Sequence, residues 1–217
     1  LGEYGALAAA DVMDLKDLFY IIRKRGIFMQ EAYPEGGAMT AVLGLDNDKI
    51  EEVCRQTEGI VTIANYNCPG QTVITGEEKA VTEAAQALSE AGAKRCVPLK
   101  VSGPFHSELL QGAGEKLEKE LYGIQLRNPS IPYISNVDAL DVTEAAPIKT
   151  LLKNQVSNSV CWQQTIEKMI ADGVDTFIEI GPGKTLSGFM KKINKDVKCL
   201  NIDKLADLDK ALEELGC

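Results

Sequence analysis

Apolar residues recur along this chain at two spacings, every three to four positions and every second position, and the switches between them mark out its elements. The first ten residues are small and helix-favouring, and Gly2, Gly5, Ala6, Ala8, Ala9 and Ala10 would let a helix lie close against a sheet. Asp14 stands where an N-cap is needed for a helix to about Gln30, with Leu15, Leu18, Ile22 and Met29 as its apolar stripe and Phe19 alongside. Residues 38–99 then read as one compact unit: strand 38–43, helix 46–57, strands 61–66 and 71–75, helix 77–91 and strand 96–99. The two middle strands flank Asn67-Cys68-Pro69-Gly70, where Pro-Gly signals a tight turn. The order β-α-β-β-α-β is that of a ferredoxin-like split unit. Elements of another kind resume after it, which marks it as an insertion. They are helix 106–122, strand 131–135, helices 148–155 and 162–172, a buried strand 175–180, helix 184–193, strand 199–202 and a last helix with Leu205, Leu208, Leu212 and Leu215 on one stripe.

Composition narrows the class without naming a function. A chain of 217 residues holds one large domain or two modest ones and can bury a core without disulfides. Its net charge of -9 argues against nucleic acid as a partner, since phosphate backbones need clustered Lys and Arg. No stretch approaches the roughly 18 apolar residues of a membrane span, and the N-terminus lacks the basic region of a signal peptide. The chain begins with Leu1, which implies that processing or truncation set this end. The six cysteines show no C-x-x-C spacing, so they are read as reduced thiols in a cytoplasmic compartment, with no metal site.

Four features carry candidate chemistry. His106 is the only histidine and sits on a loop after Val101-Ser102-Gly103-Pro104-Phe105; a general acid-base role competes with a structural or surface one. Arg25 falls on the apolar side of its helix, where a charge needs a partner: an internal acid, or an acidic ligand held in a bidentate clamp. Gly181-Pro182-Gly183-Lys184-Thr185 is not a P-loop, because Ile178 stands where that motif needs glycine; it reads as a strand-to-helix turn. Asn65, Asn67 and Gln155 lie near element ends, where turn and cap hydrogen bonds account for such residues equally well.

Together these segments resemble the malonyl-CoA:acyl-carrier-protein transacylases of bacterial fatty acid synthesis, along the whole chain. Leu1-Gly2-Glu3-Tyr4 is similar to the tail of that family's Gly-His-Ser-Leu-Gly-Glu-Tyr nucleophile elbow. Arg25-Gly26 with Met29-Gln30, the run from Asn65 to Gln71, Gly103-Pro104-Phe105-His106-Ser107, Ser135-Asn136-Val137, Gln155 with Trp162, and the run from Glu179 to Lys184 follow in the family's order.

The resemblance implies an α/β fold in which an α/β-hydrolase-like subdomain, residues 1–36 and 101–217, receives a ferredoxin-like subdomain, residues 37–100. It implies that His106 is the catalytic base, oriented by the main-chain carbonyl of Gln155, and that the Leu1 backbone N–H is an oxyanion donor. It further implies that Arg25 holds the malonyl carboxylate, and that Met29, Phe105, Asn65 and Asn67 line the substrate site. The substrates would be malonyl-CoA and phosphopantetheinylated acyl carrier protein, with no cofactor. An acidic carrier protein would need a basic patch here, for which Lys184, Lys191, Lys192 and Lys195 are the candidates. The family's nucleophilic serine would stand directly before Leu1, so this chain is expected to be inactive without its N-terminal segment. The alternatives are an inactive fragment or partner-binding module, or an acyltransferase domain of a polyketide synthase.

Overall fold

The computed structural model describes residues 2–101 and 103–216. Packing divides the chain into two compact units, Leu1–Thr165 and Ile166–Cys217. The expected subdomain boundaries near residues 36 and 100 both fall inside the first unit.

The first unit opens with two helices, α1 (Gly2–Ala9) and α2 (Leu15–Ala32). Asp14 precedes α2 but makes no side-chain cap; its carboxylate instead accepts from Arg127 at 2.9 Å. The buried face of α2 is Leu18, Ile21, Arg25 and Met29; Leu15, expected on the stripe, and Phe19, expected alongside it, are 61% and 67% exposed. Spacings of three and four residues fit both stripes, and the partner helix decides between them. That partner is α5 (Gln111–Tyr122), which also packs on α6 (Ile148–Gln155). Tyr4, Leu7, Ile21, Leu117, Leu121, Ile148 and Leu152 fill this core. Each buried leucine or isoleucine contributes about 1.5–3 kcal/mol by leaving water. The close contact of α5 with α6 requires Gly114, since a Cβ there would lie 2.7 Å from the carbonyl oxygen of Lys153.

Residues 37–98 build a four-stranded antiparallel sheet from β1 (Gly37–Leu43), β2 (Val61–Cys68), β3 (Gln71–Glu77) and β4 (Arg95–Pro98), in the order β2-β3-β1-β4. Helices α3 (Asn47–Gln56) and α4 (Glu78–Glu90) join them. Strand alternation gives the sheet two faces. Val42, Ile63 and Ile74 pack with Ile50, Val81, Ala84 and Leu88 of the helices, whereas Met39, Ala64 and Val73 meet Phe105 on the other face. Gly37 brings β1 against the turn before His106: a Cβ there would lie 2.3 Å from the Pro104 ring.

Between α5 and α6 runs a short antiparallel pair, β5 (Tyr133–Ile134) with β6 (Asp141–Val142). The strand expected over 131–135 is thus two residues long, and its partner lacks a sequence signal because two residues show no alternation.

Helix α7 (Trp162–Ala171) begins in the first unit and ends in the second. The second unit pairs β7 (Thr176–Ile180) with β8 (Lys198–Ile202) in parallel, with α8 (Thr185–Ile193) between them and α9 (Leu205–Leu215) after. The expected burial of β7 does not hold: Ile180 is 79% exposed and Ile178 is exposed too. The leucine stripe of α9 is likewise exposed, and only Ala211 of that helix is buried. Both patterns suggest core because apolar runs normally face a partner; among the described residues β7 has only β8 beside it. The strand-to-helix turn reads as expected, with the Glu179 carboxylate accepting from the backbone N–H groups of Leu186 and Ser187 at 3.0 and 2.9 Å. The first-turn donors of α8, which in a P-loop would face phosphate, are thereby engaged by the chain's own acid. No helix among the described residues is long and apolar enough to cross a membrane.

Candidate active site

His106 lies between β4 and α5. The helix expected from residue 106 instead begins as a 3-10 turn at Glu108–Leu110, and His106 itself holds φ at 63°. A non-glycine residue in that left-handed region is uncommon, and such strain persists only where the surroundings over-determine it. Here Gly103 and Pro104 are buried before it, and the buried Ser107 hydroxyl donates to the Pro104 carbonyl at 2.7 Å.

The imidazole Nδ1 donates to two main-chain carbonyls, Gln155 at 3.0 Å and Asn158 at 3.2 Å. Two acceptors on one side require the proton to sit on Nδ1, which leaves the Nε2 lone pair free to take a proton. The ring is desolvated although the residue as a whole is only partly covered. That desolvation, helped by the nearby Arg25 charge, lowers its pKa to about 4. The imidazole is therefore neutral, and able to act as a base, throughout the neutral range.

Arg25 is 8% exposed. One guanidinium NH2 donates to the side-chain oxygen of Gln155 at 3.0 Å, and its buried Nε has no partner. Burial lowers its pKa, while Tyr4 and Glu3 pull the other way. Among the described residues no carboxylate lies within ion-pair distance of Arg25, so no internal acid pairs with it directly, and the residue lines a cleft. Gln155 thus links the two groups: its side chain meets Arg25, and its main chain meets His106.

Arg25, Met29, Asn65, Phe105 and His106 line one cleft of about 600 Å³, with Met39 and Leu99 adding apolar wall. Asn67 is not part of that lining. Its expected place beside Asn65 came from the family resemblance, and the β2 irregularity between Tyr66 and Cys68 falls at Asn67. Leu1 lies outside the described residues. A second cleft of about 500 Å³ reaches His106 from the side of Arg55, Thr62, Ser157 and Ser159. In the second unit, Lys184 and Lys191 border a hollow shared with Asp207, Lys210 and Glu214, so the expected basic patch has a mixed field.

Against known proteins, residues 1–206 match the family model described as an acyl transferase domain. The malonyl CoA-acyl carrier protein transacylase of Bacillus subtilis is 48% identical, with 99% of this chain covering 69% of the relative. The chain belongs to the malonyl CoA-acyl carrier protein transacylase family. The crystal structure of the family's Clostridium perfringens member superposes with a TM-score of 0.95 at 46% identity, covering 99% of this chain and 69% of that one. A malonyl-transacylase solved in complex with a type II polyketide acyl-carrier protein gives 0.95 at 41% identity, covering 98% and 70%. These transacylase relatives do not favour the reading as a domain of a polyketide synthase.

Sequence reasoning missed three parts of this family site. The Asn158 carbonyl is a second acceptor for His106, and the Gln155 side chain contacts Arg25. Glu3, which the sequence offers only as part of a motif, is buried and feels the Arg25 charge. Main-chain acceptors leave no mark on side-chain identity, so only the glutamate and the glutamine offered a signal.

Proposed function

We propose that this chain carries the base and the substrate clamp of an enzyme that moves a malonyl group from malonyl-CoA to the phosphopantetheine thiol of acyl carrier protein in fatty acid synthesis. The observation that carries the reading is the coupling of Arg25 and His106 through one residue, Gln155, on the wall of one cleft. The Arg25 guanidinium, on the cleft wall, suits the malonyl carboxylate, a planar anion matched by its shape. Met29, Phe105 and Asn65 border the space for the acyl chain and its thioester.

The nucleophile in this reading is a serine directly before Leu1, on the elbow whose tail is Leu1-Gly2-Glu3-Tyr4. His106 Nε2 takes the serine proton as the oxygen attacks the thioester carbonyl, and the Leu1 N–H stabilises the oxyanion. The tetrahedral intermediate expels CoA as its thiol, with the proton returned from His106. In the second half the pantetheine thiol gives its proton to His106, attacks the acyl-serine and leaves with the malonyl group. The proton then goes back to the serine. His106 borders two clefts, so acyl group and thiol can approach it from different sides. No step calls for a cofactor. The larger part of the fold is read as α/β-hydrolase-like and residues 37–100 as the ferredoxin-like part. Five described cysteines are free, which fits a reducing, cytoplasmic setting.

The test is Arg25→Ala in the enzyme that includes the serine-bearing segment, assayed with malonyl-CoA and with acetyl-CoA. Removing charge-assisted hydrogen bonds worth about 1.5–3 kcal/mol should slow malonyl transfer by roughly 10- to 150-fold. Acetyl transfer, with no carboxylate to hold, should change by no more than a few-fold. Equal losses for the two acyl groups would overturn the clamp.

A further inference from the structure

The turn before His106 is seated on one face of β1. Side chains alternate along a strand, so positions 37 and 39 share a face. Met39 packs there with Ala64, Val73 and Phe105, while Ala38 and Val42 belong to the opposite face with the helices. Pro104 occupies the place that a side chain at position 37 would take. A Cβ on Gly37 would lie 2.3 Å from the Pro104 Cδ and 2.5 Å from its backbone nitrogen. Both atoms belong to the rigid pyrrolidine ring, so neither can swing aside as the end of a flexible side chain could. Strand β1 is held as well, since Gly37 to Leu43 pair with β3 and Thr40 to Leu43 with β4.

Pro104 on Gly37 and Phe105 on Met39 thus use two successive positions of one strand face. From this seat the chain turns through His106 at a φ of 63°, which persists only where its surroundings enforce it. The Ser107 hydroxyl closes the turn onto the Pro104 carbonyl at 2.7 Å. The same turn carries the imidazole Nδ1 to the carbonyls of Gln155 and Asn158, 3.0 and 3.2 Å away.

We propose that Gly37 is a positioning residue for the base: having no side chain, it lets Pro104 seat on β1, and that seat holds His106 in the left-handed conformation that aims Nδ1 at its two carbonyls. Gly37 lines neither cleft and acts only through the turn. With a side chain at position 37, Pro104 must move away, the turn relaxes, and Nδ1 leaves its acceptors. The proton of the neutral ring is then no longer confined to Nδ1, and Nε2 is not kept open to receive one. The inference deepens the acyl-transfer reading and rests on it for its functional meaning.

His106 is the single histidine of the chain, so nitrogen-labelled histidine gives one ring whose two nitrogen NMR shifts report the tautomer. In the 217-residue chain at neutral pH the wild type should show the Nδ1–H form, and Gly37→Ala should make the Nε2–H form at least as abundant. Ile50→Val weakens the core on the opposite face of the same sheet and should keep the wild-type signature. A wild-type signature in Gly37→Ala overturns the proposal, as does an equal change in Ile50→Val, which would reduce Gly37 to a part of the stability of the sheet. If Gly37→Ala does not fold, Pro104→Ala, which removes the seated ring and leaves β1 unaltered, must raise the Nε2–H form; an unchanged signature overturns the proposal equally. In the enzyme that includes the serine-bearing segment, Gly37→Ala should lower kcat by roughly 100-fold for malonyl and acetyl transfer alike, the cost of displacing a catalytic group by about 1 Å. A loss confined to KM overturns the proposal. The tautomer signal does not depend on turnover, so a failure of the Arg25 assay and a failure here are distinguishable.

Discussion

At the scale of single residues, the site works by desolvating groups that water would otherwise keep charged. His106 ordinarily titrates near 6.5, and burial of its ring brings that to about 4. Its NMR midpoint in the folded chain should fall well below 6, and a midpoint at 6.5 would mean that water reaches the ring freely. Phe105 stands beside it, packed on Met39 and Ala64 of the sheet and on the wall of the cleft. Under the proposed acyl-transfer reading, Phe105→Ala in the active enzyme should widen the cleft that Phe105 lines. Competition between malonyl-CoA and an α-branched analogue should then shift toward the branched substrate by about tenfold, the order that small volume changes in a pocket produce. An unchanged ratio would place the selectivity elsewhere.

At the scale of elements, glycines separate contact from propensity. Gly112 and Gly114 both sit in α5, two residues apart. A Cβ on Gly112 meets nothing within 4 Å, whereas one on Gly114 meets the Lys153 carbonyl of α6 at 2.7 Å. Gly112→Ala should therefore stabilise the chain by about 0.5–1 kcal/mol through helix propensity. Gly114→Ala should destabilise it by about 1–3 kcal/mol, because the helices must part. Urea denaturation of the two variants tests the pair, and similar shifts would contradict the α5–α6 packing. That packing matters to the site, since Gln155 is the last residue of α6. Helices α2 and α6 both pack on α5, and they bring Arg25 and the two polar ends of Gln155 together.

At the scale of the whole molecule, Glu3 and His106 give stability opposite responses to pH. Glu3 rises from 4.5 to about 7 on folding, so its contribution is full below pH 4.5 and is lost as pH rises to 7. His106 falls from 6.5 to about 4, so the unfolded chain binds the extra proton in that window, and stability rises with pH there. Between pH 4.5 and 6.5 the two slopes oppose each other. Glu3→Gln removes only the falling one, so the variant's urea midpoint should climb with pH more steeply than that of the wild type. Parallel curves would show that Glu3 ionises normally in the folded chain.

The order of elements was legible in the sequence because it depends on local periodicity. The β-α-β-β-α-β run, helix α6 and the helix after Asp14 all declared themselves by spacing and turn residues. The chemistry-bearing segments were legible because histidine, arginine and glycine-proline turns are rare and stand in a recognisable order. Tertiary structure alone decided which face each helix turns inward, since Leu15 and Ile21 satisfy the same period and only α5 distinguishes them. It also decided that Asn65 lines the cleft while Asn67, at an irregularity of β2, does not. And it decided that Arg25, Gln155 and His106 meet: groups 49 to 130 residues apart in the chain are brought within hydrogen-bond distance by packing, which no local pattern encodes.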